Sequence, residues 1–173
     1  SAAQVMAEGQ NWGTSVQGTI PALFRIRNWS IAKGAFFDDD DVARGAKLAV
    51  IGQTVAENLF GTDDPVGKTM RIQQNPFIVI GVLGGKGQNL DGRDQDDTVI
   101  IPLTTAQRKV FGTPFLGSVR MIMVQAESAE AMPKVEADIT ALLRQRHRLR
   151  EGQPEDFFMR NLSAAAESQA ETT

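Results

Sequence analysis

Residues 48–83, LAVIGQTVAENLFGTDDPVGKTMRIQQNPFIVIGVL, constrain the fold more than any other part of this chain. Two apolar runs suited to buried strands, LAVIG and FIVIGVL, bracket a segment with helical spacing, QTVAENLF, and a shorter strand pattern, TMRIQ. Gly61 reads as the helix C-cap, Pro65 stiffens an acidic turn through Asp63 and Asp64, and Gly67 opens a β-hairpin with Asn75-Pro76 as its turn. The stretch also imitates a phosphate loop, ending in Gly67-Lys68-Thr69, but five residues separate Gly61 from Gly67 where the motif has four. A phosphate loop runs from strand into helix, whereas these glycines leave a helix and enter a strand. Asp63 and Asp64 would repel a polyphosphate, so nucleotide binding is not expected here.

A chain of 173 residues can bury a real core as one domain or as two small interleaved lobes, and sixteen glycines with seven prolines predict many turns. The net charge of −3 points to neither nucleic acid nor an anionic membrane surface as a partner. Zero cysteines exclude disulfides, thiolate zinc sites and a catalytic thiol. No apolar run approaches the ~18 residues of a membrane span, and no signal peptide is visible at the start, so these residues are expected to be soluble.

Along the chain, residues 14–19 read as a strand and Pro21 as the first position of a short helix, PALFRIR. Trp29, Ile31, Phe36 and Phe37 form a buried-looking segment that ends at an acidic run. A loop rich in Gly and Asp, residues 84–97, precedes a strand at 98–102. Thr104 and Gln107 then have the spacing of a capping box for a short helix stopped by Gly112. Alternation over residues 118–125 predicts a strand, with Val119, Met121 and Met123 on one side. A long helix lies between 129 and 150, with Met132, Val135, Ile139, Leu142 and Leu143 on one face and Pro133 in the first turn. A last strand at 157–162 would complete a β-α-β unit. That unit needs a sheet partner, and the N-terminal strand is the natural candidate. The expectation is therefore an α+β, two-lobed fold: residues 1–41 and 117–173 form one discontinuous lobe, and 42–116 form a smaller inserted α/β lobe. The tail 164–173 is expected to fray.

Four groups of residues could carry chemistry. Asp38, Asp39, Asp40 and Asp41 could hold a hard cation, but adjacent side chains diverge, and N-capping by Asp38 with its neighbours at the positive helix end accounts for them better. In the loop, Asp91, Asp94 and Asp96 come closer to ligand spacing, yet Arg93 offsets their charge; an exposed, mobile hairpin is the plainer reading. Loops of this length are often functional, so Lys86, Asp91, Arg93 and Asp94 are the candidate partner-contacting residues. The stripe Arg144, Arg146, His147, Arg148 and Arg150 suits a helix C-terminus; without interleaved aromatics it does not point to nucleic acid. His147 is the only histidine, which excludes histidine pairs, and Asp156 is placed to pair with the arginines. Met121, Met123 and Met159 could line an adaptable apolar surface or simply fill a core. No catalytic, cofactor or metal residue is assigned.

The ordered series WSIAKGAFF, LAVIG, NLFGTDDPVGK, FIVIGVL, DDTVIIPL and LLRQRH ahead of Asp156-Phe157 resembles the extracytoplasmic core domain of MacB-type ABC transporter permeases. The likeness runs from about residue 13 to about residue 163. It implies a periplasmic domain, with a porter-like lobe and a smaller inserted lobe, on the outer face of a bacterial inner membrane. It also implies one transmembrane helix before Ser1 and three after Thr173. The implied role is mechanical and non-catalytic: ATP-driven motion is transmitted to export or extract an amphipathic drug, peptide or lipoprotein. The implied partners are a second permease copy, an ABC ATPase domain or subunit, and a membrane-fusion adaptor, with no cofactor and no nucleic acid. The rival readings are a secreted metal-dependent hydrolase using Asp91, Asp94 and Asp96, and a freestanding soluble binding module.

Overall fold

A computed structural model describes residues 1–89, 91–113 and 118–163. In chain order the elements are β1 (Ala2–Ala7), β2 (Gln10–Thr19), α1 (Ala22–Ile26), β3 (Ile31–Gly34), α2 (Asp39–Ala43), β4 (Leu48–Ile51), α3 (Gln53–Phe60), β5 (Thr69–Ile72), β6 (Asn75–Leu83), β7 (Thr98–Pro102), α4 (Leu103–Thr105) with a π-helical turn Ala106–Val110, and α5 (Met132–Arg146). The helix 53–60 and its Gly61 cap, the strand 98–102 and the helix from Met132 fall where the residue patterns place them.

Two hairpins turn on residue pairs with positive φ, the type I′ geometry that matches strand twist. Glu8 (φ 51°) and Gly9 (φ 75°) join β1 to β2, and Gln73 (φ 46°) and Gln74 (φ 73°) join β5 to β6. The expected Asn75-Pro76 turn is thus corrected by two residues, to Gln73-Gln74. Asn75 pairs with Ile72 and Pro76 with Arg71, so both already belong to β6. Proline is tolerated there because it sits at the start of the strand.

The sheet order is β3-β6-β4-β7-β2-β1-β5, and β5 pairs again with β6. Six strands therefore close into a ring, and β3 extends the far end of β6. β2 with β7 and β4 with β6 run parallel; the other pairs are antiparallel. Successive side chains alternate between faces, and both faces of β4 and β7 are buried. Ala49, Ile51, Val99 and Ile101 join Val5, Val16, Met70 and Phe77 in one apolar cluster with Val55, Leu59 and Phe60 of α3. Val50 and Ile100 point the other way, onto Phe24, Phe37 and Leu83. At roughly 1.5–3 kcal/mol for each fully buried large side chain, these two clusters are the main source of stability.

The acidic run behaves as its capping pattern requires. Asp38 accepts from the Asp41 amide at 2.9 Å, and Asp41 accepts from the Asp38 amide at 3.0 Å, a reciprocal capping box for α2. Arg44 also binds Asp41, and that bond, ahead of the Asp38 amide, holds the Asp41 carboxyl below its usual value. Thr104 is not a cap, contrary to its spacing with Gln107. Its hydroxyl donates to the Val42 carbonyl, while fully buried Thr105 donates to Ala46 at 2.7 Å. Both hydroxyls fasten the α2–β4 connection to α4.

The β-α-β expectation is corrected at both strands. Residues 118–125 and 157–162 form no strand, and of that unit only α5 is present. The physical reason is that β2, the expected partner, already has β1 on one side and β7 on the other. The sheet draws strands from both sides of residue 42, and the chain divides into two compact units, Ser1–Met123 and Val124–Thr173. The boundary at 116/117 and the tail 164–173 lie outside the described residues. In the second unit the chain folds back along α5. Arg144 donates to the carbonyls of Arg150 and Gln153 and meets Glu155 at 3.0 Å, and Asn161 donates to Glu136. Asp156 bonds to His147 at 2.6 Å instead of to an arginine, and that bond holds its carboxyl below the usual value.

Placing Asn at 73 and Gly at 74 suits the type I′ turn directly, since each L residue held at positive φ costs about 1 kcal/mol. The Gln73→Asn, Gln74→Gly variant is expected to unfold at higher urea concentration, by about 1 kcal/mol. An unchanged or lower midpoint would contradict the turn.

Candidate functional site

β6 and β7 flank β4, so the connection between them, residues 84–97, must cross the end of β4 where the chain enters α3. Gly52 makes that crossing possible: a Cβ there would sit 2.1 Å from the Asp96 carbonyl oxygen. The crossing is hydrogen-bonded on both sides. Gly52 N–H donates to the Thr98 carbonyl (2.9 Å), Thr54 N–H to the Asp96 carbonyl (3.2 Å), and the Gln53 amide group to the Leu83 carbonyl (2.9 Å).

Within the loop, carboxylate and carboxamide oxygens organise the backbone. Asp96 accepts from the amides of Lys86 (2.8 Å) and Gly87 (2.9 Å), and Asp94 from the amide of Asp96 (2.8 Å) and the hydroxyl of Thr54 (2.5 Å). Asn89 accepts from the amides of Asp91 (3.0 Å) and Arg93 (2.9 Å). Asp97 reaches β2, accepting from the Trp12 indole at 2.9 Å and from buried Thr14 at 2.7 Å. The hairpin expected to be mobile is tied down at both ends and through its middle.

The predicted site residues divide into two roles. Lys86 is half-buried: its ammonium donates to the Arg27 carbonyl and lies 5.7 Å from the centre of the Trp29 ring. Burial first, and the charge of Arg27 second, lower its pKa from the usual lysine value. Asp94, with Asp96, holds the loop. Asp91 and Arg93 are exposed, and Arg93 borders a shallow groove of about 600 Å³ with Ala2, Gln4, Gly13 and Ser15. Asp91, Asp94 and Asp96 do not converge: Asp94 and Asp96 are turned onto amide and hydroxyl donors. Among the described residues, no three His, Asp or Glu side chains are placed to share a metal ion.

Sequence reasoning missed Trp12, Thr14, Gln53 and Thr54 as the anchors of this loop. They lie 83–85 residues away or in a neighbouring helix. The usable signal was Asp97 immediately before an apolar strand, where a carboxylate needs donors from a neighbouring element.

Residues 1–142 match the model of the MacB-like periplasmic core domain. The chain belongs to the MacB-like periplasmic core domain family. The macrolide export ATP-binding/permease protein MacB of Rhodospirillum rubrum is 43% identical over 164 residues, which is 94% of this chain and 24% of that protein. The protein of the same name from Wolinella succinogenes is 35% identical over 92% of this chain and 24% of its own length. The chain thus spans about a quarter of the curated relatives that it matches. Among solved structures, the periplasmic region of MacB from Actinobacillus actinomycetemcomitans superimposes with a TM-score of 0.74 at 21% identity, covering 100% of this chain and 73% of that one. The extracellular domain of the ABC-type transporter YknZ from Gram-positive bacteria gives 0.72 at 22% identity, covering 87% and 74%. Both support a mixed α/β fold of this MacB-like kind.

In this MacB-like domain, Asp96→Asn turns an amide donor toward one of two backbone N–H groups. The expected result is a loss of about 1 kcal/mol, with faster hydrogen exchange at the amides of Lys86 and Gly87. Unchanged protection at both amides would contradict the loop's construction.

Proposed function

We propose that this chain is the periplasmic core domain of an ABC-type permease that exports or extracts an amphipathic substrate, a drug, a peptide or a lipoprotein. The observation that carries the reading is the 43% identity over 94% of the chain to a macrolide export ATP-binding/permease protein. The domain acts mechanically. β1 lies hydrogen-bonded between β2 and β5, so displacement of a membrane helix ahead of it is carried into the ring of strands instead of being absorbed by a loose linker. A ring with a filled interior moves as a body, because close-packed side chains resist compression.

In this reading the parent protein works as a pair of permease copies driven by an ABC ATPase domain or subunit, with a membrane-fusion adaptor on the outer side. Asp91 and Arg93 make the outward contact, while Lys86 and Asp94 keep the presenting loop in one shape. Neither a cofactor nor a catalytic group has a part, and two carboxylates that a hydrolase would need are engaged in backbone hydrogen bonds.

The test uses the complete native gene product. This chain contains no cysteine, so a single Asp91→Cys in an otherwise cysteine-free parent gives one reporter. The expected outcome is a membrane-bound product labelled by an impermeant maleimide in intact spheroplasts. Labelling only after permeabilisation, or a product in the soluble fraction, would overturn the reading.

A further inference from the structure

Among the described residues, β3 differs from the ring strands in having one neighbour, β6, so its other side is a sheet edge with backbone N–H and C=O groups outside the ladder. Ala32, Lys33 and Gly34 are exposed. Beside this strand lies an aromatic hollow of about 390 Å³, lined by Pro21, Phe24, Arg25, Asn28, Trp29 and Phe36. Trp29 comes two residues before β3 and Phe36 two residues after it, so the hollow is bounded from both ends of the strand. Phe24 forms its floor, 3% exposed, stacked on Phe36 at 4.2 Å and 6.1 Å from Trp29.

Basic side chains cluster beside it. The net charge is −3, yet Arg25, Arg27 and Lys33 are exposed here and Lys86 lies against Trp29. Among the neighbouring acids, Asp96 holds the amides of Lys86 and Gly87 and Asp38 and Asp41 cap α2, while Asp39 and Asp40 are exposed in the first turn of that helix.

We propose that the β3 edge and this aromatic hollow form a docking site for an extended acidic segment of a partner protein. The segment adds as a strand beside β3, places one apolar side chain among Phe24, Trp29 and Phe36, and sets its carboxylates against Arg25, Arg27 and Lys33. A second copy of this chain is the poorer occupant, because edge-to-edge pairing would bring its Lys33 toward this one, and facing like charges destabilise a strand pair. Lys33 and the register shift between Ile31 and Lys33 are the devices that keep neutral edges apart; an acidic strand turns the lysine into an attraction. This inference stands on the β3 region alone. Its test is made in solution on the 173-residue chain, so its failure leaves the permease reading untouched.

The chain, uniformly labelled with nitrogen-15, is titrated with the synthetic peptide EEVTFVTDE and, separately, with its lysine counterpart KKVTFVTKK. The expected result is saturable shift changes at the amides of Ile31–Gly34 and at the Trp29 indole with the acidic peptide. Binding should be roughly tenfold or more weaker for the lysine peptide and for the Arg25→Glu, Lys33→Glu double variant, whose exposed side chains can change without disturbing the core. Sedimentation of the chain alone should show no self-association. Four outcomes would overturn the proposal: no saturable change at millimolar peptide, changes confined to other strands, equal binding of both peptides, or self-association with Ile31–Gly34 at the interface.

Discussion

The pairing of β5 with β6 is the interaction on which the rest of the first unit depends. Without it the strands form an open sheet from β3 to β5; with it, Met70 faces Phe77 and Thr69 faces Ile78, and six strands close on a single interior. Closure removes the free edges of those six strands, and it ties β1, already paired to β5 through Val5 and Ile72, into the same ring as β6. A two-residue turn of glutamines at positive φ makes the closing hairpin. The fully buried Met70, Ile72, Phe77 and Val79 give that hairpin an inner face.

Ring order also explains the candidate site. Because β4 separates β6 from β7, the chain between them has to bridge the start of α3, and the bridge is built from aspartates and an asparagine accepting backbone and side-chain donors. The same residue types, at similar spacing, could have formed a cation site. The deciding difference is the presence of nearby N–H and O–H donors that satisfy the carboxylates locally. Asp91 and Arg93 remain outward, which is why the proposed contact is assigned to them and the holding role to Lys86 and Asp94.

Much of the middle of the chain was legible in its residues because each signal there is local. Gln53–Phe60 has helical spacing and a glycine cap, Thr98–Pro102 is an apolar strand-length run, and Asp38 is an N-cap with acidic neighbours in the first turn after it. The failures have a common cause. Residues 118–125 alternate as a strand does, but strand pattern does not specify a partner, and β2 had been taken by β1 and β7. β1 went unread because its own pattern is weak and its burial is supplied by β2 and β5. Thr104 had the spacing of a cap, but its hydroxyl found a carbonyl 62 residues away. The family resemblance, by contrast, rests on the order of many short motifs and survives such errors in individual elements; the match over residues 1–142 bears it out.

The central structural claim is that β1 and β2 belong to the same cooperative body as β4 to β7. Native-state hydrogen exchange on the 173-residue chain tests this most directly, since residues that open together share one free energy of opening. The slowest amides of β1, β2, β4, β6 and β7 are expected to exchange with a common opening energy that falls in parallel as denaturant is added. Earlier, independent opening of β1 and β2, with β4, β6 and β7 still protected, would contradict the closed ring.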